Sequence, residues 1–170
     1  LHRIAPLIVA AVPHTDPVAI LYSPASFRIQ WMLAQQPKGT AWIERDAGRE
    51  WDDDAFRAAM RGYVDGLTQL GLQPRFVTAA MLPGLRARAL LLPDTLALSP
   101  SGAQAIARFA ARGGVVIADR QPSLYDAHGR RLKRPGLAPG IAQLARRDDR
   151  ATLGRILAAA RIAPPVRFAA

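Results

Sequence analysis

The sequence contains no cysteine, which excludes a disulfide framework, a thiolate metal site and a cysteine nucleophile. Long apolar runs are missing too. Nothing approaches the roughly 18 unbroken apolar residues of a membrane span, and the most apolar stretch near the start, Ile8 to Val12, is bracketed by Pro6 and Pro13. Leu1 to Val12 also lacks the charged leader and small-residue cleavage site of an intact signal peptide. Lysine is scarce, with only Lys38 and Lys133, although the net charge is +10. The remaining cations are arginines spread from Arg3 to Arg167, and the tightest basic group, Arg130, Arg131, Lys133 and Arg134, has no interleaved aromatics on which bases would stack. Neither a nucleic acid nor a membrane is therefore expected as a partner. A soluble, cytoplasmic setting is expected, and the bias toward Ala, Arg, Gly and Pro fits a bacterial origin. No Gly-x-Gly-x-x-Gly follows an apolar run, no Walker sequence occurs, and no Gly-x-Ser-x-Gly elbow is present. The three histidines lack metal-ligand spacing, and no metal or other cofactor is expected.

What remains is a chain of 170 residues, half of them hydrophobic, long enough for one sizeable core. Leu1 to Val12 has helical spacing interrupted by Pro6, and residues 1–17 read as a helix and linker arriving from a preceding domain. Val18 to Tyr22, Ala89 to Leu92 and Val115 to Ala118 are unbroken apolar runs, the pattern of strands covered on both faces of a parallel sheet. Arg75 to Thr78 is a further short strand. Phe56, Met60, Tyr63, Val64, Leu67 and Leu70 recur every three or four residues behind the acidic start Asp52-Asp53-Asp54 and stop at Gly71, so they predict a helix. Ser99-Pro100 opens another, lined by Ala103, Ile106 and Phe109 and closed by Gly113-Gly114. From Ser23 to Trp51 no single period holds, beyond a helical turn or two over Phe27 to Leu33. Asp119 to Gly140 reads as a long polar loop, Ala151 to Arg161 as a last helix, and residues 164–170 as an exit linker. Strands alternating with helices specify an α/β fold of flavodoxin-like type, a three-layer sandwich around a central parallel sheet over residues 18–163.

In such sheets ligands sit beyond the carboxyl ends of the strands. Those ends offer Ser23, Ser26 and Arg28 after the first strand, Asp94 after the third, and Asp119 and Arg120 after the fourth. The set is a candidate small-molecule or carbohydrate crevice, or a weaker candidate for a stand-alone hydrolase. No histidine is placed beside it, and capping or loop-pinning explains the same residues. His128, in Asp126-Ala127-His128-Gly129, reads as a turn. Trp31, Trp42 and Trp51 all fall between the first strand and the first strong helix. They are candidate interface anchors, with packing of the connection onto the sheet as the plainer alternative.

Several segments carry a family resemblance: Val18-Ala19-Ile20-Leu21-Tyr22-Ser23 with Trp31 downstream, the helix through Tyr63 and Leu67 ending at Gly71, Ala89-Leu90-Leu91-Leu92-Pro93, and Leu98-Ser99 leading to Arg112-Gly113-Gly114 and Val115-Val116-Ile117-Ala118-Asp119. Over roughly Val18 to Leu144 the chain resembles the trimerisation domain of glycoside hydrolase family 42 β-galactosidases and related bacterial glycosidase-like proteins. The resemblance implies a class I glutamine amidotransferase-like fold without catalytic function. Amidotransferases carry a cysteine after a core strand, where this chain has Asp119-Arg120, so that activity is excluded. In the resembled enzymes two catalytic glutamates lie on a separate (β/α)₈ barrel. Glu44 and Glu50, the only glutamates here, fall outside any barrel, and no catalytic residue carries over. The resemblance further implies self-association and a catalytic barrel in the same polypeptide.

Overall fold

The computed structural model describes residues 16–44, 54–146 and 148–164. The expected helix Leu1 to Val12 and the exit linker beyond Pro164 lie outside them. In chain order the elements are β1 (Val18–Leu21), α1 (Pro24–Gln35), a 3₁₀ segment (Gln36–Glu44), α2 (Ala55–Gln69) and β2 (Arg75–Val77). A second 3₁₀ segment (Ala79–Gly84), β3 (Ala89–Leu92), α3 (Pro100–Ala111), β4 (Val115–Ala118), β5 (Ala142–Leu144) and α4 (Arg150–Ala159) follow.

All strand pairs are parallel, in the order β2-β1-β3-β4-β5. The three apolar runs are the three central strands, with β3 between β1 and β4, and every residue of β1 and β3 is buried. Alternation along the strands divides the core in two. Ala19, Leu21, Leu90, Leu92, Val116 and Ala118 face α3, through Ile106 and Phe109, and Leu82 of the second 3₁₀ segment. Val18, Ile20, Leu91 and Ile117 face α2 and α4, through Tyr63, Leu67, Leu153 and Leu157. This is the expected three-layer α/β sandwich.

Two elements depart from the expectation. The connection after β1 is largely helical rather than irregular: an α-helix over Pro24–Gln35 is followed by 3₁₀ turns broken by a kink at Gly39, where φ is 55°. Ser23 accepts a hydrogen bond from Ser26 N as N-cap, and Pro24 occupies the first helical position. The periodicity is obscured because α1 packs on two flanks: Ser26 and Ile29 are buried, while Phe27 meets Phe56 edge-on at 5.9 Å. Such a helix has no single apolar stripe. The second departure is β5, a three-residue edge strand paired with β4 alone. Ala142-Gln143-Leu144 is too short and too mixed to read as a strand.

Helices α2, α3 and α4 all end in the same hydrogen-bonded motif, in which the second residue past the cap donates to the carbonyl five residues back. The donor and acceptor pairs are Leu72 N to Leu67 O, Gly114 N to Phe109 O, and Ile162 N to Leu157 O. The motif needs a left-handed residue just past the cap, supplied by Gly71 (φ 72°), Gly113 (φ 86°) and, unexpectedly, Arg161 (φ 56°). The left-handed region costs a residue with a side chain ~1–2 kcal/mol, part of which glycine returns as unfolded-chain entropy. Arg161→Gly is therefore expected to stabilise the fold by about 0.5–1 kcal/mol. A urea midpoint that moves down instead would show that the Arg161 side chain contributes more than its backbone costs.

Candidate functional site

The strand order reverses between β1 and β3, and the expected ligand-binding crevice lies at their carboxyl ends. The chain itself builds on this place. After β3 the backbone kinks at Pro93-Asp94, where Asp94 has φ 36°, and runs on as Thr95 to Leu98 alongside Ser123 to Tyr125. Ser123 N donates to Thr95 O, Tyr125 N to Leu96 O and Leu98 N to Tyr125 O. From the other side α1 is fastened to this extension by its serines. The Ser26 hydroxyl lies 2.9 Å from Ala97 O, to which it donates, and accepts from Ala97 N at 3.0 Å. The Ser23 hydroxyl donates to the same carbonyl at 3.1 Å. Both serines are buried. Further along α1, Ile29 presses on the Asp126–Gly129 turn so closely that a Cβ on Gly129 would lie 2.6 Å from its Cδ1.

The polar groups proposed from sequence thus fall into separate sets. Ser23 and Ser26 converge on Ala97. Asp94, Asp119 and Arg120 form the second set: Asp119 Oδ1 accepts from Asp94 N at 3.0 Å, and Arg120 Nε stands 3.2 Å from Asp94 Oδ1. Asp94 is 2% exposed and Arg120 54%, so a buried carboxylate is neutralised by a cation that reaches in from solvent. Arg28 lies on the exposed side of α1. His128 is in an exposed turn, where its N–H and that of Arg130 each donate to Asp126 Oδ1 at 2.9 Å. The Arg130 N–H foremost, and then that of His128, hold the Asp126 carboxyl below its ordinary pKa. Among the described residues no group of three or more His, Cys, Asp or Glu side chains could hold a metal ion. No helix among them is long and apolar enough to cross a membrane.

Of the tryptophans, Trp31 is half-buried on α1, Trp42 lies on the 3₁₀ segment Gln36–Glu44, and Trp51 is outside the described residues. Trp31 lines a small cleft between α1 and the start of α2 together with Phe27, Gln35, Asp54 and Arg57. There Arg57 is held 3.0 Å from Asp54 and stacks 5.6 Å above the Phe27 ring. Phe56 gathers Phe27 and Tyr22 edge-on, both at 5.9 Å. The cluster is not visible in the sequence, because Tyr22 and Phe27 lie well over 20 residues before Phe56 and Arg57 and only the packing of α1 beside α2 joins the two halves.

No family model matches the chain, and no curated protein matches it. Solved structures do. The exo-carrageenase GH42 of Bacteroides ovatus superposes with a TM-score of 0.58 at 16% identity, over 87% of this chain and 18% of that one. The β-galactosidase of Bifidobacterium adolescentis gives 0.51 at 23%, over 83% of this chain and 54% of that one. The β-galactosidase of Bacillus circulans sp. alkalophilus gives 0.58 at 16%, over 81% and 18%. The likeness is one of fold. This chain corresponds to only part of each of these proteins, and the shared part is the α/β sandwich described above.

Proposed function

We propose that the chain is a non-catalytic structural and self-association domain of a β-galactosidase-like glycoside hydrolase, whose active site lies on a separate barrel domain. The observation that carries this reading is the fold match to parts of a GH42 exo-carrageenase and two β-galactosidases, over 81–87% of the chain. The chemistry of the strand ends agrees with it. Two serines are committed to backbone groups and Asp94 is paired with a cation, which leaves no activated nucleophile with a neighbouring base.

Sedimentation equilibrium over a range of concentrations, with nitrophenyl glycoside assays on the same preparation, tests the proposal. Reversible association without turnover is expected. Trp31→Ala should weaken association about tenfold or more, as loss of an aromatic anchor does, with the melting temperature little changed. A monomer at every concentration overturns the self-association half. Turnover that survives repurification and disappears in Asp119→Asn overturns the non-catalytic half.

A second reading, a ligand crevice at the strand ends, is favoured by Asp94. A non-glycine residue held at φ 36° with a buried carboxylate is the kind of backbone strain that concentrates at binding sites. A thermal-shift panel of sugars and nucleotides separates the two, because a ligand at 100 times its dissociation constant adds ~2.7 kcal/mol of stability. A shift abolished by Arg120→Gln would favour the crevice.

A further inference from the structure

Five large apolar side chains are exposed among the described residues, and three of them, Tyr22, Met32 and Leu33, lie on α1 or within two residues of its start. The inner flanks of α1 are already used: Ser26 and Ile29 are buried, and Phe27 meets Phe56. Its outer side is not. Arg28, Met32 and Gln36 are all exposed there and stand four residues apart, which makes them one ridge along the helix. Trp31 is half-buried beside them.

Charge decides what such a face can meet. A second copy of the chain brings the same net charge of +10, and like charges repel it wherever they are dense. The outer sides of the other helices are charged, with Arg61 and Asp65 exposed on α2, Arg108 on α3, and Arg150 and Arg155 on α4. Phe76 and Met81, the remaining exposed apolar side chains, fall in a stretch bounded by the exposed Arg75 and Arg86. Between Tyr22 and Pro37, by contrast, Arg28 is the only charged residue, although 21% of the chain is charged. The next cation, Lys38, lies past the end of α1 on the 3₁₀ segment. On α1 a second copy therefore meets apolar side chains at the least repulsion. Arg28 also fixes the direction. Parallel helices would set it against its own copy, whereas antiparallel helices centred on Met32 set it against Gln36, about 6 Å along the axis from the centre. The amide oxygen of a glutamine accepts from a guanidinium.

We propose that the chain associates through α1, packed antiparallel on α1 of a second copy about a two-fold axis at Met32. Leu33 flanks the axis, and Arg28 donates to Gln36 of the partner subunit, so each copy gives and receives the same contact. This rests on the self-association reading and adds the surface and its symmetry.

The test exploits the absence of cysteine. Met32→Cys introduces a sole thiol, and so does Met81→Cys at a site of nearly equal exposure, 54% against 57%. Helices packed about 8–10 Å apart bring facing Cα atoms within disulfide reach at the two-fold axis. Under mild oxidation with copper phenanthroline, Met32→Cys should form a covalent dimer about tenfold faster or more than Met81→Cys, because pairing raises the effective thiol concentration. In sedimentation equilibrium Met32→Arg, which sets two cations face to face, should weaken association about tenfold or more. The melting temperature of its monomer should hardly change, since the side chain is exposed. Equal oxidation rates, or association that Met32→Arg leaves unchanged, overturn the α1 pairing while self-association through another surface stands. A monomer at every concentration overturns both and leaves the α1 face to a different protein or domain.

Discussion

Ile117→Ala is expected to destabilise the fold by about 2–5 kcal/mol, the cost of a large cavity in a core that cannot collapse around it. Ile117 is fully buried in β4, flanked by Leu91 on one side and Gln143 on the other. Its side chain enters the core layer with Ile20, Tyr63, Leu67, Leu153 and Leu157. Strands clamped on both sides by a ladder and covered by two helices cannot shift to fill the void. Urea unfolding should show a lower midpoint at unchanged slope, since the surface exposed on unfolding hardly alters. Gln143→Ala, at the exposed edge one strand away, should stay within about 0.5 kcal/mol. A loss below about 1 kcal/mol for Ile117→Ala would contradict the central place of β4.

The second large effect is expected at a residue that could be mistaken for a ligand-binding group. Ser26→Ala removes the acceptor of Ala97 N, in a place where both residues are fully buried. Stranding that amide costs about 1–3 kcal/mol. The Ala97 carbonyl keeps its bond from Ser23, so the loss comes from the amide. Ser23→Ala deletes an N-cap, worth about 0.5–2 kcal/mol, but leaves both Ala97 groups paired through Ser26. Ser26→Ala should therefore be the costlier of the two in urea unfolding. Were the serine held in place for a ligand, its removal would leave the stability of the ligand-free chain nearly unchanged. A neutral Ser26→Ala would thus return the strand-end crevice to first place.

The two serines also mark where sequence reasoning reached its limit. Their position after β1 was legible from the apolar run that precedes them and from the general rule that sites gather at strand ends. Their partner was not legible, because Ala97 is more than 70 residues away and carries no polar side chain to announce it. The same holds for Asp94 and Arg120. Each was visible as a polar residue after a strand, but the pairing depends on the kink at Pro93-Asp94 and on β3 and β4 lying side by side. Tyr22, Phe27 and Phe56 were each read separately, and only the docking of α1 on α2 makes them a cluster. Ser123 left no trace in sequence either, since a serine in a polar loop is ordinary until its full burial and its positive φ are known.

Sequence by itself determined the order of β1 to β4 and of α2 to α4, and the character of the sheet. Unbroken apolar runs mean strands covered on both faces, Ser-Pro starts and glycine stops delimit helices, and the absence of cysteine removes whole classes of chemistry. These are local properties, set by side-chain volume, backbone freedom and hydrogen-bonding capacity within a few residues. Tertiary structure alone decided that α1 is a helix with two packed flanks, that three residues after Gly140 complete the sheet as β5, and that the strand-end polar groups hold the chain to itself. Those outcomes depend on which distant backbone amides and carbonyls need a partner once water is excluded, and that demand arises only when the layers close.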